Sequence, residues 1–354
     1  MAEKKNTDKK DVTIYDIAKL ANTSPGTVSR ALNNIGYVKE ETRLRIEEAA
    51  KKLEYIPNRA ARTLKTKRTG LILLAIPDMD NPFYIDMIKA IQEVSQYNNY
   101  SLILYYTEGK VEQEIKVLKM LHEQLADGMI MVNLNFTKKH LQEIKKISCP
   151  LVLSSMGVSE IGGNQTDPFD YIGVDTQKGI YMTTQHLIQQ GHTRIGYIGG
   201  NKDIVVFRER YRGYSQSLID GGLTLEDELV FFGEKWVEST GYEAGKYFLS
   251  LKQRPTAICA ANDIMAIGAI RAFEEAGLHI PKDISIIGMD NIDLTHRLKP
   301  KMSSVAIAQA EIGRTAAELI FKRLRKEEQG SPKKIIFQPR LIIRESSILC
   351  YEDI

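Results

Sequence analysis

Short apolar runs alternate with amphipathic segments along most of the chain after Thr69. Near-continuous apolar runs of this length are typical of strands that are buried on both faces of a parallel sheet. The runs are GLILLAIP, SLILYY, GMIMV, PLVLSS, YIGVD, RIGYIG, TAICAA and ISIIGMD. Most precede a segment of helical period, over 83–98, 111–124, 137–147, 177–190, 207–221, 239–252 and 263–276. The alternation predicts an α/β core of doubly wound parallel sheets.

The number of these units predicts how the core is divided. About eight strand–helix units are too many for one small compact sheet, so two similar subdomains fit better, with a division near Tyr171. A chain of 354 residues agrees with two or three domains in total.

The segment Val12–Asn33 predicts two short helices that are joined by a tight turn. Its first half carries an apolar stripe at helical spacing. The stripe consists of Ile14, Ile17, Ala18 and Ala21. Ser24 is a favoured N-cap, and Pro25 follows at the first helical position, where its missing N–H costs nothing. With a third helix from about Lys39 to Glu54, this is the layout of a helix-turn-helix, whose second helix enters the major groove of DNA.

Charge is distributed unevenly along the chain. Residues 1–68 hold 16 Lys and Arg against 9 Asp and Glu, whereas the remainder holds 32 against 36. A basic segment of this kind suits the neutralisation of DNA phosphates. Periodicity alone also fits a small three-helix bundle with a solvated polar face, so it is the charge that favours DNA binding.

Three motifs in the basic segment, TIYDIAKLA, S-x-x-TVSRALN and PNRAARTLK, resemble the DNA-binding head of the lactose/galactose repressor family. The resemblance implies a bacterial transcriptional regulator with an α-helical head and a core of the periplasmic-binding-protein type I fold. The DNA contacts that it implies are Thr13, Ser24, Pro25, Gly26, Thr27, Ser29, Arg30, Asn33, Asn58, Arg59, Ala61 and Leu64. Pro25 and Gly26 stand where base-reading side chains usually stand and offer no side-chain hydrogen bond. Specificity is therefore expected to depend on Arg30 and on DNA shape.

A short basic segment, 57–68, follows the three predicted helices. Its Asn58–Lys65 stretch is a good helix former, yet two turns of helix are marginal in water. Taken alone, the segment is equally consistent with a flexible basic linker. The resemblance instead implies a hinge helix in the minor groove, with Leu64 as a wedge between base pairs and the small Ala61 near the groove floor.

Polar residues follow several predicted strands, at the sheet edge where ligands of open α/β sheets bind. Carboxylates, amides, an arginine and an aromatic ring in one cleft suit a sugar-like effector. The predicted effector contacts are Asp80, Asn81, Phe83, Ser154, Arg210, Trp236, Asn262 and Asp290. By resemblance, Arg210, Asn262 and Asp290 match effector positions of the family.

Two positions depart from the family pattern and leave the identity of the ligand open. Ser154 stands where a sugar-contacting aspartate is usual, and Ile307 where a contacting glutamine is usual. Two further side chains have simpler alternatives. Asp263 is better explained as the cap of the next helix than as a ligand contact, whereas Trp236 fits the cleft better than the core.

Several classes of protein are disfavoured by the sequence. No run approaches the roughly 20 apolar residues of a membrane span, and the first twelve residues contain no apolar signal segment. Cys149, Cys259 and Cys350 have no metal or redox spacing. The chain also has no P-loop, Rossmann fingerprint, G-x-S-x-G elbow or H-E-x-x-H motif. We therefore expect a cytoplasmic protein that is not an enzyme and uses no metal and no cofactor.

The predicted domains are a DNA-binding head over 1–56, a hinge over 57–68 and an effector-binding and dimerisation core over 69–354. In the implied fold the chain crosses between the subdomains three times, near 170–173, 297–303 and 328–333. The predicted N-subdomain comprises about 69–170 and 300–330. The predicted C-subdomain comprises about 171–299 and 331–354.

Together, sequence and resemblance predict a homodimeric repressor of carbohydrate-utilisation genes. It would bind a double-stranded DNA operator and be released when a small sugar-like effector occupies the cleft. The alternatives are corepression by a phosphocarrier protein or a purine and, more remotely, a sugar-binding protein without a regulatory role. No membrane partner is expected. The expected dimer surface on the first core helix, which could equally be intramolecular core, is Tyr84, Met87, Ile88 and Ile91.

Overall fold

The computed structural model describes residues 12–33, 36–56, 63, 66–155 and 168–348. The chain divides into two compact units between Arg68 and Thr69. The first unit contains the predicted helix-turn-helix, and the second is an α/β core. None of the described helices is long and apolar enough to cross a membrane.

The first unit consists of three helices, α1 (Ile14–Leu20), α2 (Pro25–Leu32) and α3 (Glu40–Lys52). Ile17, Val28 and Ile46, one from each helix, are fully buried at the centre of a small apolar core. The bundle follows from the stripes that the sequence shows, and the helix-turn-helix prediction is confirmed.

Local capping explains where α1 and α2 begin and where α1 ends. The Thr13 N–H donates to Asp16 Oδ2 at 2.9 Å, as a capping box requires. Ser24 Oγ accepts from the Thr27 N–H at 3.1 Å and caps α2. After α1, Asn22 takes a left-handed conformation with φ of 50°, which Asn tolerates better than most residues. These signals all act within a few residues and are legible in the sequence.

The predicted hinge lies largely outside the described residues. This applies to Asn58, Arg59, Ala61 and Leu64, whose implied DNA contacts stay predictions. Just before the core, the Lys67 N–H donates to the Thr63 carbonyl at 2.8 Å.

Within the described ranges the core has two six-stranded sheets, one in each of two lobes. The first sheet contains β1 (Leu71–Ile76), β2 (Ser101–Tyr106), β3 (Gly128–Val132), β4 (Leu151–Ser155), β5 (Asp170–Val174) and β11 (Lys334–Phe337). The second contains β6 (Ile195–Gly199), β7 (Val230–Phe232), β8 (Ala257–Ala260), β9 (Ser285–Asp290), β10 (Ser303–Ala306) and β12 (Arg340–Ile342). The strand orders are β11-β5-β4-β3-β1-β2 and β12-β10-β9-β8-β6-β7. All neighbouring pairs are parallel except β10 and β12.

Helices cover the faces of both sheets. They are α4 (Phe83–Tyr97), α5 (Val111–His122), α6 (Lys138–Ile144), α7 (Thr176–Gln189), α8 (Val205–Asp220), α9 (Glu238–Ser250), α10 (Asp263–Glu275) and α11 (Gln309–Leu324). Helix α11 packs against α4 in the first lobe, whereas α7 packs against α8 and α9 against α10 in the second. The predicted doubly wound α/β core is therefore confirmed.

Sequence reasoning missed α11 and the strands β10 and β11. Strand β10 reads as polar, because Ser303 and Ser304 form half of it. Both are nevertheless fully buried, and their hydroxyls are satisfied by partners far away in the sequence, such as Asp263 for Ser304 at 2.6 Å. Such partners are invisible to a local hydropathy pattern.

The three crossings between the lobes lie later in the chain than predicted. Strand β5 belongs to the first sheet, so the first crossing follows Val174 rather than lying near 170–173. Strand β10 belongs to the second sheet and α11 packs in the first lobe, which moves the second crossing from 297–303 to 307–308. The third lies at 338–339, between β11 and β12, rather than near 328–333. The predicted subdomain limits shift accordingly, since the membership of a strand in one sheet or the other depends on its pairing partners and leaves no mark in the local pattern.

The face of α4 that is predicted as a dimer surface lies within the protomer instead. Tyr84, Met87 and Ile91 are buried in the apolar core, and Ile88 packs partly buried against it. This face is covered because α4 packs against α11, a helix that the sequence reasoning missed. The intramolecular alternative is therefore correct for these four residues.

Candidate functional site

Helix α2 has one buried and one polar side. Val28 and Ala31 are buried in the head. On the other side Arg30 and Asn33 are exposed, and Thr27 is half-buried. An exposed row of hydroxyl, guanidinium and amide groups on a short helix provides donors for phosphate oxygens and base edges.

Local hydrogen bonds hold this polar row in place. Ser24 Oγ lies 2.9 Å from Thr27 Oγ1, to which Arg30 Nη2 donates at 3.4 Å. Asn33 Nδ2 donates to the Ser29 carbonyl at 2.7 Å. Among the described residues, the guanidinium keeps most of its donors for another partner, since its bond to Thr27 is long.

Ten of the described residues, from both lobes, line a cleft in the core. The first lobe supplies Asn81, Phe83, Tyr84 and Leu134. The second lobe supplies Val206, Phe207, Arg210, Trp236, Asn262 and Asp290. They lie at or beyond the carboxyl ends of strands β1, β3, β6, β7, β8 and β9, which is where ligands of parallel sheets bind.

Arg210 and Asp290 place opposite charges in the cleft, and each residue is only 4% exposed. Arg210 Nη2 lies 3.9 Å from Asp290 Oδ1, and Arg210 Nη1 donates to the Ala261 carbonyl. Arg210 Nε is buried and has no hydrogen-bond partner among the described residues. Burial raises the pKa of Asp290 well above its usual range, although the charge of Arg210 opposes the rise. This loosely paired arrangement has hydrogen-bonding capacity left for a polar ligand.

The backbone at Asp290 is strained. Its φ is 121° and that of Asn291 is 54°, both in the left-handed half of conformational space that disfavours side chains. The Asn291 N–H donates to Ser304 Oγ at 3.0 Å, and the Ile292 N–H donates to Asp263 Oδ2 at 2.9 Å. These bonds hold the strained turn and thereby set the position of the Asp290 carboxylate.

Asp263 does not line the cleft and is not the cap of α10, so the predicted cap is wrong. The cap is its neighbour Asn262, whose Oδ1 accepts from the Met265 N–H at 2.8 Å. Asn262 Nδ2 donates to the Trp236 carbonyl at 3.0 Å. The Asn262 amide thus borders the cleft, but its hydrogen bonds serve the structure.

Trp236, the single tryptophan of the chain, joins the two lobes. Its ring stacks on Phe207 with the centroids 5.4 Å apart and the planes at 24°. Its Nε1 donates to Asp78 Oδ2 in the first lobe at 3.3 Å. The aromatic wall of the cleft is consequently in contact with both lobes.

Both units are similar in sequence to known proteins. Residues 13–58 match the family model of bacterial regulatory proteins of the lacI family, and residues 184–347 match that of a periplasmic binding protein-like domain. The HTH-type transcriptional repressor PurR of Photobacterium profundum is 32% identical over 335 residues, or 94% of this chain and 98% of that protein. The chain belongs to the LacI family. This LacI-family member is accordingly a DNA-binding transcriptional regulator.

Solved structures agree with this assignment. A complex of the transcriptional regulator CelR with cellobiose is 26% identical, with a TM-score of 0.70, and the match covers 95% of this chain and 99% of that one. The Lac repressor dimer bound to operator and the anti-inducer ONPF is 24% identical, with a TM-score of 0.83 and coverage of 96% and 100%. The LacI-family chain thus has the head-and-core fold that its motifs imply.

Not all predicted effector residues reach the cleft. Asp80 is exposed in the loop after β1, and Ser154 is buried within β4. The other six line the cleft together. Sequence reasoning missed four lining residues, Tyr84, Leu134, Val206 and Phe207. Leu134, Val206 and Phe207 are apolar and gave no chemical signal, and Tyr84 was assigned to the dimer surface instead. Leu134 closely follows β3, and its position at the strand end could have indicated it.

One prediction concerns the pH dependence of core stability. Burial raises the pKa of Asp263 to about 6, while its hydrogen bonds with Ser304 and Ile292 oppose the rise. The folded chain then holds a proton that the unfolded chain has lost above about pH 4. Asp263 therefore favours folding at low pH, and this contribution is lost as the pH rises through about 6.

We expect the parent chain to lose about 1 kcal/mol of unfolding free energy relative to Asp263→Asn between pH 5 and pH 7. Urea titrations of both proteins at several pH values measure this difference. The variant carries no titrating carboxyl at the position and so serves as the reference for all other groups. A difference that is constant or that grows with pH contradicts the assignment.

Proposed function

We propose that this regulator is a dimeric repressor of carbohydrate-utilisation genes, and that a small sugar-like effector in the cleft releases it from its operator. The observation that carries the proposal is the buried Arg210–Asp290 pair in the same cleft as the Trp236 ring. A guanidinium and a carboxylate bind hydroxyl groups, and an aromatic ring packs on the apolar face of a sugar. The similar regulator CelR is known as a complex with cellobiose.

The position of the cleft supports a coupling between effector and DNA. Its lining residues come from both lobes, so a ligand that contacts both favours one lobe arrangement over another. Such a difference in affinity between two states is what any allosteric effect requires. The proposed DNA contacts among the described residues are Thr13, Ser24, Pro25, Gly26, Thr27, Ser29, Arg30 and Asn33.

A purine corepressor is the second candidate. The relative PurR is 32% identical across nearly the whole chain, and the cleft contains Phe83, Tyr84, Phe207 and Trp236, whose rings suit a planar heterocycle. Ser154 and Ile307 also lack the carboxylate and the amide that are usual at these two positions of the family pattern. A corepressor acts with the opposite sign, since it strengthens operator binding.

Two measurements decide between these candidates. The operator is first selected from a random duplex library with the full chain. A thermal-shift screen of sugars, sugar phosphates and nucleobases then identifies ligands, because binding to the native state raises the melting temperature. A sugar that raises the melting temperature and weakens operator binding supports the proposal. A nucleobase that strengthens operator binding, or the absence of any stabilising sugar, contradicts it.

Arg30→Ala tests whether α2 is the recognition helix, that is, the helix that contacts the bases of the operator. If Arg30 contacts a base, its loss is expected to cost about 1–3 kcal/mol at the selected operator and to relax the preference at one base pair. Titration of the operator and of its point variants measures both effects, and Arg43→Ala on α3 is the matched control. A loss of affinity that is the same for all DNA sequences would assign Arg30 to a phosphate instead. The salt dependence of the binding constant would then also fall by the equivalent of about one released counterion.

A further inference from the structure

One carboxylate holds the first residues of the core. Asp127, which directly precedes β3, accepts the Thr69 N–H at 2.8 Å, the Gly70 N–H at 3.0 Å and the Thr69 hydroxyl at 3.0 Å. The Asp127 N–H in turn donates to the Leu71 carbonyl at 2.9 Å. Three bonds to one charged acceptor form a stronger contact than neutral bonds of the same number.

The sequence around this contact is suited to it. Gly70 has a φ of 69°, a left-handed conformation that glycine adopts without strain. This conformation allows two successive N–H groups to reach the same carboxylate. Thr69 adds its hydroxyl, which also accepts the Leu71 N–H at 3.2 Å.

The contact lies where the polypeptide of the DNA-binding head joins the core, because the two compact units divide between Arg68 and Thr69. Among the described residues, the N–H groups of Thr69 and Gly70 have no hydrogen-bond acceptor other than the Asp127 carboxylate. Without that carboxylate, Thr69 would lengthen the segment that connects head and core, whereas Gly70 stays held through its carbonyl, which accepts the Ser101 N–H at 3.0 Å. The Asp127 carboxylate therefore determines where that segment starts.

We propose that Asp127 is a positioning residue for operator binding, which anchors the point where the head linker leaves the first lobe. Each released residue has to be ordered again when the heads bind DNA, at a cost of roughly a factor of 5 to 30 in affinity. A linker that starts from a fixed position also moves together with the first lobe. Additional unordered residues between lobe and linker would reduce the part of that movement that is transmitted to the linker. This proposal rests on the DNA binding of the family and not on the identity of the effector.

Asp127→Asn tests the anchor, because the amide keeps the shape but turns an N–H group toward one of the donors. We expect the variant to bind the selected operator at least about fivefold more weakly in titrations. Simple electrostatics predicts the opposite sign, since the variant removes a negative charge from a protein that binds a polyanion. The salt dependence of binding is expected to stay unchanged, because no phosphate contact is lost.

A second readout needs no DNA. Trypsin is expected to cleave the Arg68–Thr69 bond of the variant about tenfold faster, since cleavage follows the population of the locally opened state. The matched control is Asp283→Asn, which changes a carboxylate that accepts the His279 N–H at 2.7 Å in the second lobe. This control should leave both readouts unchanged.

Thr69→Val provides an independent variant that removes only the hydroxyl bonds. It is expected to shift both readouts in the same direction as Asp127→Asn, but less. Operator affinity that is equal or tighter in both variants overturns the proposal. So does a cleavage rate at Arg68–Thr69 that matches the parent protein.

Discussion

Replacing Arg210 with alanine is expected to abolish the response to effector while operator affinity stays within about twofold of the parent. Arg210 is 4% exposed and is the cation nearest to the Asp290 carboxylate in the cleft. Its loss removes the charged donor of the cleft, and a hydrogen bond to a charged group contributes about 1.5–3 kcal/mol to a complex. A deficit of this size corresponds to a loss of effector affinity of about 10- to 150-fold. The recognition helix belongs to a separate compact unit, so DNA binding should persist.

Operator titrations with and without the effector found in the thermal-shift screen measure both quantities. Arg212→Ala is the matched control, because Arg212 lies on the same helix two residues later and is less buried. A variant that still binds the operator is folded, which separates loss of the effector site from loss of structure. If Arg210→Ala still responds to the effector like the parent, the effector lies elsewhere.

Gly241→Ala is expected to have the largest effect on stability, with a loss of about 3 kcal/mol or more of the free energy of unfolding. A Cβ atom at Gly241 on α9 would lie 1.8 Å from the Met265 carbonyl oxygen on α10. A Cβ atom at Gly268 on α10 would likewise lie 2.0 Å from the Glu238 carbonyl oxygen. The two helices therefore touch backbone to backbone, and only their separation could make room for a methyl group.

The same change should also weaken effector binding. Helix α9 begins just after Trp236, and α10 begins after its cap Asn262, whose amide donates to the Trp236 carbonyl.

Chemical unfolding of Gly241→Ala and of the control Gly330→Ala measures the loss of stability. Gly330 is exposed, and a Cβ atom there would have no contact closer than 3.6 Å. Equal stability of the two variants would show that the contact between α9 and α10 is not tight.

The head could be predicted from the sequence almost completely. Its capping residues Thr13 and Ser24 and its buried Ile17, Val28 and Ile46 all follow local patterns. These patterns work because caps bind groups three residues away and because a helix face repeats every three or four residues.

The cleft could be predicted only in part. Arg210, Trp236 and Asp290 were identified because each is a polar or aromatic group beyond a strand end. Ser154 occupies a comparable position in the chain but is buried within its strand. Whether a strand-end residue faces the cleft depends on the neighbouring strand and helix, which no local pattern contains.

Sequence alone determined that this chain has a basic helix-turn-helix followed by alternating strands and helices. Tertiary structure alone decided which strands share a sheet, where the chain crosses between the lobes and which face of α4 is buried. It also decided the contact of Asp127 with Thr69 and that of Arg210 with Asp290, 58 and 80 positions apart in the chain. The reason is physical: helical period and capping act over three or four residues, whereas the partner of a buried charge is set by the order of the strands.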